Sequence, residues 1–134
     1  VPRMKSVKDM VAAANEVVRH APAASLFAQH GTKGVTFVDL RDPRELDREG
    51  MIPGAFHCPR GMLEFWIDPA SPYAKPQFQT GDTFIFYCAS GWRSALSAQA
   101  AQDMGLANVM HITDGFSGWK NGGGPVGEKE QKKD

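Results

Sequence analysis

Cysteine is scarce in this chain, which has only Cys58 and Cys88 among its 134 residues. Two cysteines are too few for a disulfide scaffold, so a hydrophobic core must hold the fold, and the chain length suits one domain. An excess of charge of one sign is also missing, because 15 basic residues balance 15 acidic ones. The charge balance therefore gives no electrostatic indication of a nucleic-acid partner or an anionic membrane surface.

Long apolar runs are absent as well, since no stretch of the sequence approaches the ~20 residues that a membrane-spanning helix needs. The first eight residues are polar and no apolar run follows them, so no signal peptide is expected and a cytoplasmic location is favoured. The charged residues 127–134 are expected to be a disordered tail that follows a single domain of residues 1–126.

Apolar periodicity predicts an alternation of helices and strands. A helix is expected over residues 5–19, where apolar side chains recur at three- and four-residue steps, and Pro22 can begin a short helix that ends at Gln29. Strands are expected at 35–40, 55–57, 83–87 and 108–112, and further helices at 43–49, 62–67 and 94–104. This order indicates an α/β domain with a mainly parallel central sheet, whose ligands bind at the carboxyl ends of the strands.

The most informative segment is the nucleophile loop, defined as residues 88–94, Cys-Ala-Ser-Gly-Trp-Arg-Ser. It lies between a predicted strand and a predicted helix, so backbone N–H groups and the positive end of the helix dipole converge on Cys88. That setting favours a thiolate, which is the nucleophilic form of cysteine. Arg93 adds a guanidinium fork that suits an oxyanion. The loop thus predicts a nucleophile in an anion-binding cradle, against the alternative that Cys88 is an inert buried side chain.

The other loop residues have expected roles in binding. Gly91 permits a backbone angle that other residues resist. Ser90 and Ser94 are short donors, although Ser94 can instead act only as a helix cap. Trp92 either lines the rim of the site or packs beneath the loop. We therefore expect Cys88 to be catalytic and the substrate to be bound by Ala89, Ser90, Gly91, Trp92, Arg93 and Ser94.

Three further segments accompany the loop: residues 39–41 (Asp-Leu-Arg), 50–55 (Gly-Met-Ile-Pro-Gly-Ala) and 114–119 (Asp-Gly-Phe-Ser-Gly-Trp). In this order and spacing, over roughly residues 33–126, the motifs resemble the rhodanese family of sulfurtransferases. Met51 and Asp114 depart from the pattern, because that family usually has histidine and glycine there. The resemblance implies the rhodanese-like α/β fold, with helices on both faces of the sheet.

The resemblance also implies sulfur transfer through a persulfide on Cys88. Cys88 would take a sulfane sulfur from a small anionic donor, thiosulfate or a persulfide, and pass it to a thiol, cyanide or a protein acceptor. Arg93 and the loop N–H groups would hold the anionic sulfur. No cofactor and no metal ion is implied. The remaining notable residues are expected to be structural: Cys58 in packing, Asp39 and Arg41 as an ion pair, Trp119 in the core, and His57 and His111 in packing or at the surface.

Three alternatives stay open at the level of sequence. A cysteine phosphatase or arsenate reductase has one more residue between Cys and Arg than the four that separate Cys88 from Arg93. The shorter ring of N–H groups suits one sulfur atom better than a phosphoryl group. A non-catalytic binding or regulatory module on the same fold is the second alternative. The third is a redox carrier in which Cys58 resolves an oxidised Cys88.

Overall fold

The computed structural model describes residues 4–129, which form a five-stranded sheet with helices on both faces. The strands are β1 (Arg19–Ala21), β2 (Val35–Asp39), β3 (Phe56–His57), β4 (Thr83–Tyr87) and β5 (Val109–Ile112). The helices are α1 (Val7–Val17), α2 (Pro43–Glu49), α3 (Leu63–Ile67), α4 (Trp92–Asp103) and α5 (Gly115–Asn121). The strand order is β1-β5-β4-β2-β3 and every pairing is parallel, which confirms the expected α/β class.

The central strands are buried on both faces because their side chains are apolar on both sides. In β4, Phe84 and Phe86 pack into one core cluster, whereas Ile85 and Tyr87 pack into the other. Helices α3 and α4 cover the first face, with α1 packed on α4, and α5 covers the second. Each fully buried phenylalanine stabilises the fold by about 1.5–3 kcal/mol relative to an exposed one.

Three elements differ from the sequence-based predictions. The first helix ends at Val17, and Arg19–Ala21 instead forms β1, which pairs with the edge of β5. Residues 23–29 form two 3-10 turns rather than a short helix. Helix α5 was not predicted, since its glycines lower helix propensity. In each case tertiary contacts outweigh local preference.

Both positions that depart from the rhodanese pattern make specific backbone contacts. Met51 is buried, and its N–H and carbonyl groups pair with those of Gly127 at 2.9 and 2.8 Å. The Asp114 carboxylate accepts a hydrogen bond from the N–H of Ala23 at 2.8 Å. Gly127 is the first residue of the predicted tail, and residues 130–134 of that tail lie outside the described residues.

Over residues 4–129, none of the helices combines the length and the apolar character that crossing a membrane requires.

Candidate active site

Cys88 follows β4 directly, at the edge of the sheet where the parallel strands end. The register pairs Asp39 with Tyr87, so β2 ends beside the same point. The turn into α4 depends on Gly91, whose φ of 101° lies in the left-handed region that favours glycine. A Cβ atom at this position would overlap the carbonyl oxygen of Thr113. Glycine at position 91 is therefore what lets the loop close tightly against the end of β5.

The sulfur of Cys88 takes the place of a helix cap on α4. Its Sγ accepts hydrogen bonds from the N–H groups of Gly91 at 3.2 Å and Ser94 at 3.4 Å. N–H groups at the start of a helix have no acceptor within that helix. The sulfur supplies the missing acceptor, and the N–H groups and the helix dipole stabilise negative charge on it. Cys88 is only 1% exposed, so the sulfur lies at the bottom of the nucleophile loop.

Helix α5 holds the nucleophile loop from the other side. The N–H of Phe116 donates to the carbonyl of Cys88 at 2.8 Å, and the N–H of Ser117 donates to the carbonyl of Ala89 at 3.1 Å. Gly115 has a positive φ of 60° and allows this approach, because a Cβ atom there would overlap the Ala89 carbonyl. The segment 114–119 thus holds the backbone of the nucleophile loop in place.

Behind the loop, a series of hydrogen-bonded side chains connects the Cys88 sulfur to helix α1. The Ser94 Oγ lies 3.6 Å from the Cys88 Sγ and 2.9 Å from the His111 Nδ1. The His111 Nε2 lies 2.7 Å from the Asn15 Oδ1. Burial, with a smaller contribution from His20, lowers the pKa of His111 to about 4, so its imidazole is neutral at pH 7. His111 is buried rather than at the surface, the two settings that the sequence left open. No local sequence signal marks its connection to the loop, because its partners lie far away in the chain.

Arg93 lies at the outer side of the loop and is bound by a carboxylate. Its guanidinium donates two hydrogen bonds to Glu45, at 2.8 and 3.0 Å. The Glu45 carboxylate also accepts the N–H of Asp42 at the start of α2. The hydrogen bonds from Arg93 lower the pKa of Glu45 and in turn raise that of Arg93, so both groups are charged at pH 7. The carboxylate therefore offsets part of the positive charge that Arg93 presents to an incoming anion.

Arg41 and Asp39 form the structural ion pair that the sequence predicted. Both side chains are fully buried, and the Arg41 Nε donates to the Asp39 Oδ1 at 3.0 Å. The same guanidinium donates to the carbonyl of Gly50 at 2.8 Å and lies over the ring of Phe116, 4.3 Å from its centroid. These contacts join the ends of β2, α2 and α5 beneath the site.

The remaining predicted binding residues differ in exposure. Ser90 is exposed, and Trp92 is 48% exposed at the first position of α4, so its side chain is not packed beneath the loop. Ala89 is partly buried and lines a cavity of about 430 Å³. Charged side chains of both signs also line this cavity: Arg41, Arg48, Lys120, Glu45 and Glu49. The cavity therefore meets the nucleophile loop at Ala89.

Cys58 packs in the core and forms no disulfide with Cys88. Burial raises the pKa of Cys58 to about 12, so this thiol is protonated at pH 7. Trp119 is also fully buried, as expected, and its Nε1 donates to the carbonyl of Pro125 at 2.7 Å. Cys58 and Trp119 thus have structural roles.

Known proteins share this sequence pattern. The model of the rhodanese-like domain family matches residues 22–122. The dual specificity phosphatase Cdc25 of Arabidopsis thaliana is 27% identical over 118 residues, which cover 81% of this chain and 77% of that protein. Thiosulfate sulfurtransferase/rhodanese-like domain-containing protein 3 of Mus musculus is 24% identical over 93 residues, 66% of this chain. The match spans 59% of the mouse protein, less than two thirds of its length.

Solved structures share the fold. A Rhodopseudomonas palustris protein of unknown function, described as a possible tyrosine phosphatase, is 52% identical with a TM-score of 0.89, covering 94% of this chain and 98% of that one. A rhodanese-like domain protein of Staphylococcus aureus is 22% identical with a TM-score of 0.66, covering 84% of this chain and 100% of that one. The second likeness is one of fold alone.

Proposed function

This chain belongs to the rhodanese-like domain family, and on that premise we propose that it transfers a sulfane sulfur through a persulfide on Cys88. The donor is a small anion, thiosulfate or a low-molecular-weight persulfide. The observation that carries the proposal is the convergence of two N–H groups, from Gly91 and Ser94, on one sulfur at 3.2 and 3.4 Å. Such a cradle stabilises both a thiolate and the anionic persulfide that replaces it.

The reaction has two halves. In the first, the Cys88 thiolate attacks the sulfane sulfur of the donor and forms a new S–S bond. The S–S bond of the donor breaks, and sulfite leaves with the electron pair when the donor is thiosulfate. In the second half, an acceptor nucleophile attacks the outer sulfur and the thiolate of Cys88 leaves. The N–H groups of Trp92 and Arg93, in the first turn of α4, have no acceptor inside the helix and are suited to hold the outer sulfur.

Phosphate-ester hydrolysis is the second candidate, because the Arabidopsis relative and the Rhodopseudomonas neighbour carry phosphatase names. One feature supports sulfur transfer instead. Only four residues separate Cys88 from Arg93, which leaves a small ring of N–H groups that suits one sulfur atom better than a phosphoryl group.

Intact-protein mass spectrometry tests the proposal. After treatment with thiosulfate the protein should gain one sulfur, and cyanide should remove it as thiocyanate. Cys88→Ser should show no gain, whereas Cys58→Ser should behave as the parent. The same samples are assayed with p-nitrophenyl phosphate. Hydrolysis that depends on Cys88 without any persulfide would replace the proposal with the phosphatase function, and inactivity in both assays would favour a binding module.

A further inference from the structure

A row of hydrogen-bonding groups runs from the Cys88 sulfur through the core to α1, and its order defines where the protons lie. The Asn15 Oδ1 can only accept, so the His111 Nε2 at 2.7 Å carries the ring hydrogen. The other ring nitrogen, Nδ1, then accepts the hydroxyl hydrogen of Ser94 at 2.9 Å. The Ser94 oxygen presents a lone pair to the Cys88 Sγ, 3.6 Å away, which donates its thiol hydrogen.

We propose that His111 serves Cys88 as a positioning and proton-accepting residue that acts through the Ser94 hydroxyl, with Asn15 fixing the imidazole tautomer. As Cys88 ionises, its proton moves to the Ser94 Oγ while the hydroxyl proton of Ser94 moves to the His111 Nδ1. The products are a thiolate, a hydroxyl that now donates to the sulfur, and an imidazolium whose Nε2 still donates to Asn15. This inference rests on the proposed function, because the thiolate that the relay produces is the group that attacks the sulfur donor.

The surroundings of His111 suit a group that is neutral at rest and charged only together with the sulfur. Burial and His20 lower its pKa to about 4, which keeps the Nδ1 lone pair free. A negative sulfur would attract a proton to the ring in this buried setting, so the thiolate and the imidazolium would stabilise each other. The neighbours that face the ring from each packed element are His20 on β1, Phe86 on β4, Asn15 on α1 and Ser94 on α4.

Among these neighbours, His20 is the one that can carry a positive charge. Its ring centroid lies 5.9 Å from that of His111, and its Nε2 is 3.2 Å from the Asn15 carbonyl. A proton on the exposed His20 ring opposes a proton on His111. The negative charge on the Cys88 sulfur acts in the opposite direction.

The test measures the ultraviolet absorbance of the thiolate at pH 7, which does not depend on access to the buried sulfur. Cys58→Ser protein is the parent, and the same protein carrying Cys88→Ser is the blank. His111→Asn keeps an oxygen near the position of Nδ1 to accept from Ser94, but it cannot take up a proton. We expect the ratio of thiolate to thiol to fall about tenfold in this variant.

Asn15→Asp, at a partly buried position on α1, tests the opposite effect, a rise in the ratio of thiolate to thiol. A carboxylate that accepts from Nε2 raises the proton affinity of the ring, so the ratio of thiolate to thiol should rise about tenfold. A loosened structure would not produce this gain. Asn108→Asp is the matched control, because it adds the same charge at an exposed position before β5, away from the carboxyl ends of the strands, and should leave the ratio unchanged.

NMR of the His111 ring nitrogens gives a second, independent measurement. Because the proton passes from Cys88 to His111 without net loss to solvent, the fraction of protein with a proton on Nδ1 at pH 7 should match the fraction with a Cys88 thiolate. This protonated fraction should vanish in Cys88→Ser. A parent-like ratio in both His111→Asn and Asn15→Asp, or a neutral ring in protein that contains the thiolate, would overturn the proposal. Failure to form a persulfide from thiosulfate would refute sulfur transfer but would leave the thiolate measurement standing.

Discussion

Replacing Glu45 by glutamine should make this protein a better binder of anionic sulfur donors. The Glu45 carboxylate holds the Arg93 guanidinium by two hydrogen bonds and faces the cavity beside the nucleophile loop. Glutamine keeps a side-chain oxygen that can accept the N–H of Asp42, so the start of α2 is preserved. The substitution removes one negative charge and leaves Arg93 free to turn toward the donor.

The size of the effect follows from the exposure of the pair. The Arg93 side chain is 41% exposed and that of Glu45 is 19% exposed, so water screens their interaction. An ion pair of this kind contributes about 0.5–1 kcal/mol, and breaking it should release a similar amount for donor binding. That free energy corresponds to a decrease in KM for thiosulfate of about twofold to fivefold, since 1.4 kcal/mol is a factor of ten. Because the thiol cradle is untouched, kcat should change less than KM.

The assay is steady-state transfer of sulfur from thiosulfate to cyanide at low ionic strength. Glu64→Gln is the matched control, since Glu64 on α3 forms a similar partly exposed pair with Arg60, 2.8 Å away in the turn before that helix. It should leave KM unchanged. Arg93→Ala should abolish the gain that Glu45→Gln produces. An unchanged or raised KM in Glu45→Gln, with normal kinetics in Arg93→Ala, would refute the assignment of Arg93 to donor binding.

Other changes probe the loop, the second thiol and the buried ion pair. Gly91→Ala places a Cβ atom against the Thr113 carbonyl at a position whose backbone is left-handed. Persulfide formation should therefore be lost while the circular dichroism spectrum stays native. Full activity would contradict the cap geometry. Cys58→Ser should retain sulfur transfer, because burial raises the pKa of Cys58 to about 12 and this thiol stays protonated; a persulfide that the variant cannot release would instead identify a resolving thiol. Asp39→Asn leaves the Arg41 guanidinium buried without its counter-ion and should lower the free energy of unfolding in urea by about 3–5 kcal/mol; a loss below about 1 kcal/mol would place that ion pair among the weak ones.

The fold class and the position of Cys88 at a strand end were predictable because both depend on residues that are close in sequence. The apolar runs at 35–40 and 83–87 are long enough to indicate buried strands, and the segment from Cys88 to Ser94 contains its own turn residue and helix start. Parallel strands bring their carboxyl ends to one edge of the sheet, so the location of the site followed from the predicted alternation.

Short elements were predicted poorly because they depend on contacts with residues that are distant in sequence. Arg19–Ala21 has no strong strand pattern of its own and becomes β1 only because the edge of β5 offers hydrogen-bonding partners. The glycine-rich α5 has low helix propensity, and it is held by packing and by hydrogen bonds to the loop carbonyls. Both elements depend on neighbours that sequence periodicity does not describe.

The sequence by itself determined the α/β alternation, the place of Cys88 at a strand end and the glycine that lets the loop close. Only the tertiary structure decided that Arg93 binds Glu45, 48 positions away, and that His111 binds Asn15, 96 positions away. Local structure follows from backbone sterics and from the spacing of apolar side chains along a few turns or strands. Pairings of polar side chains across the core follow from how the packed elements meet in space, and no short sequence pattern encodes that arrangement.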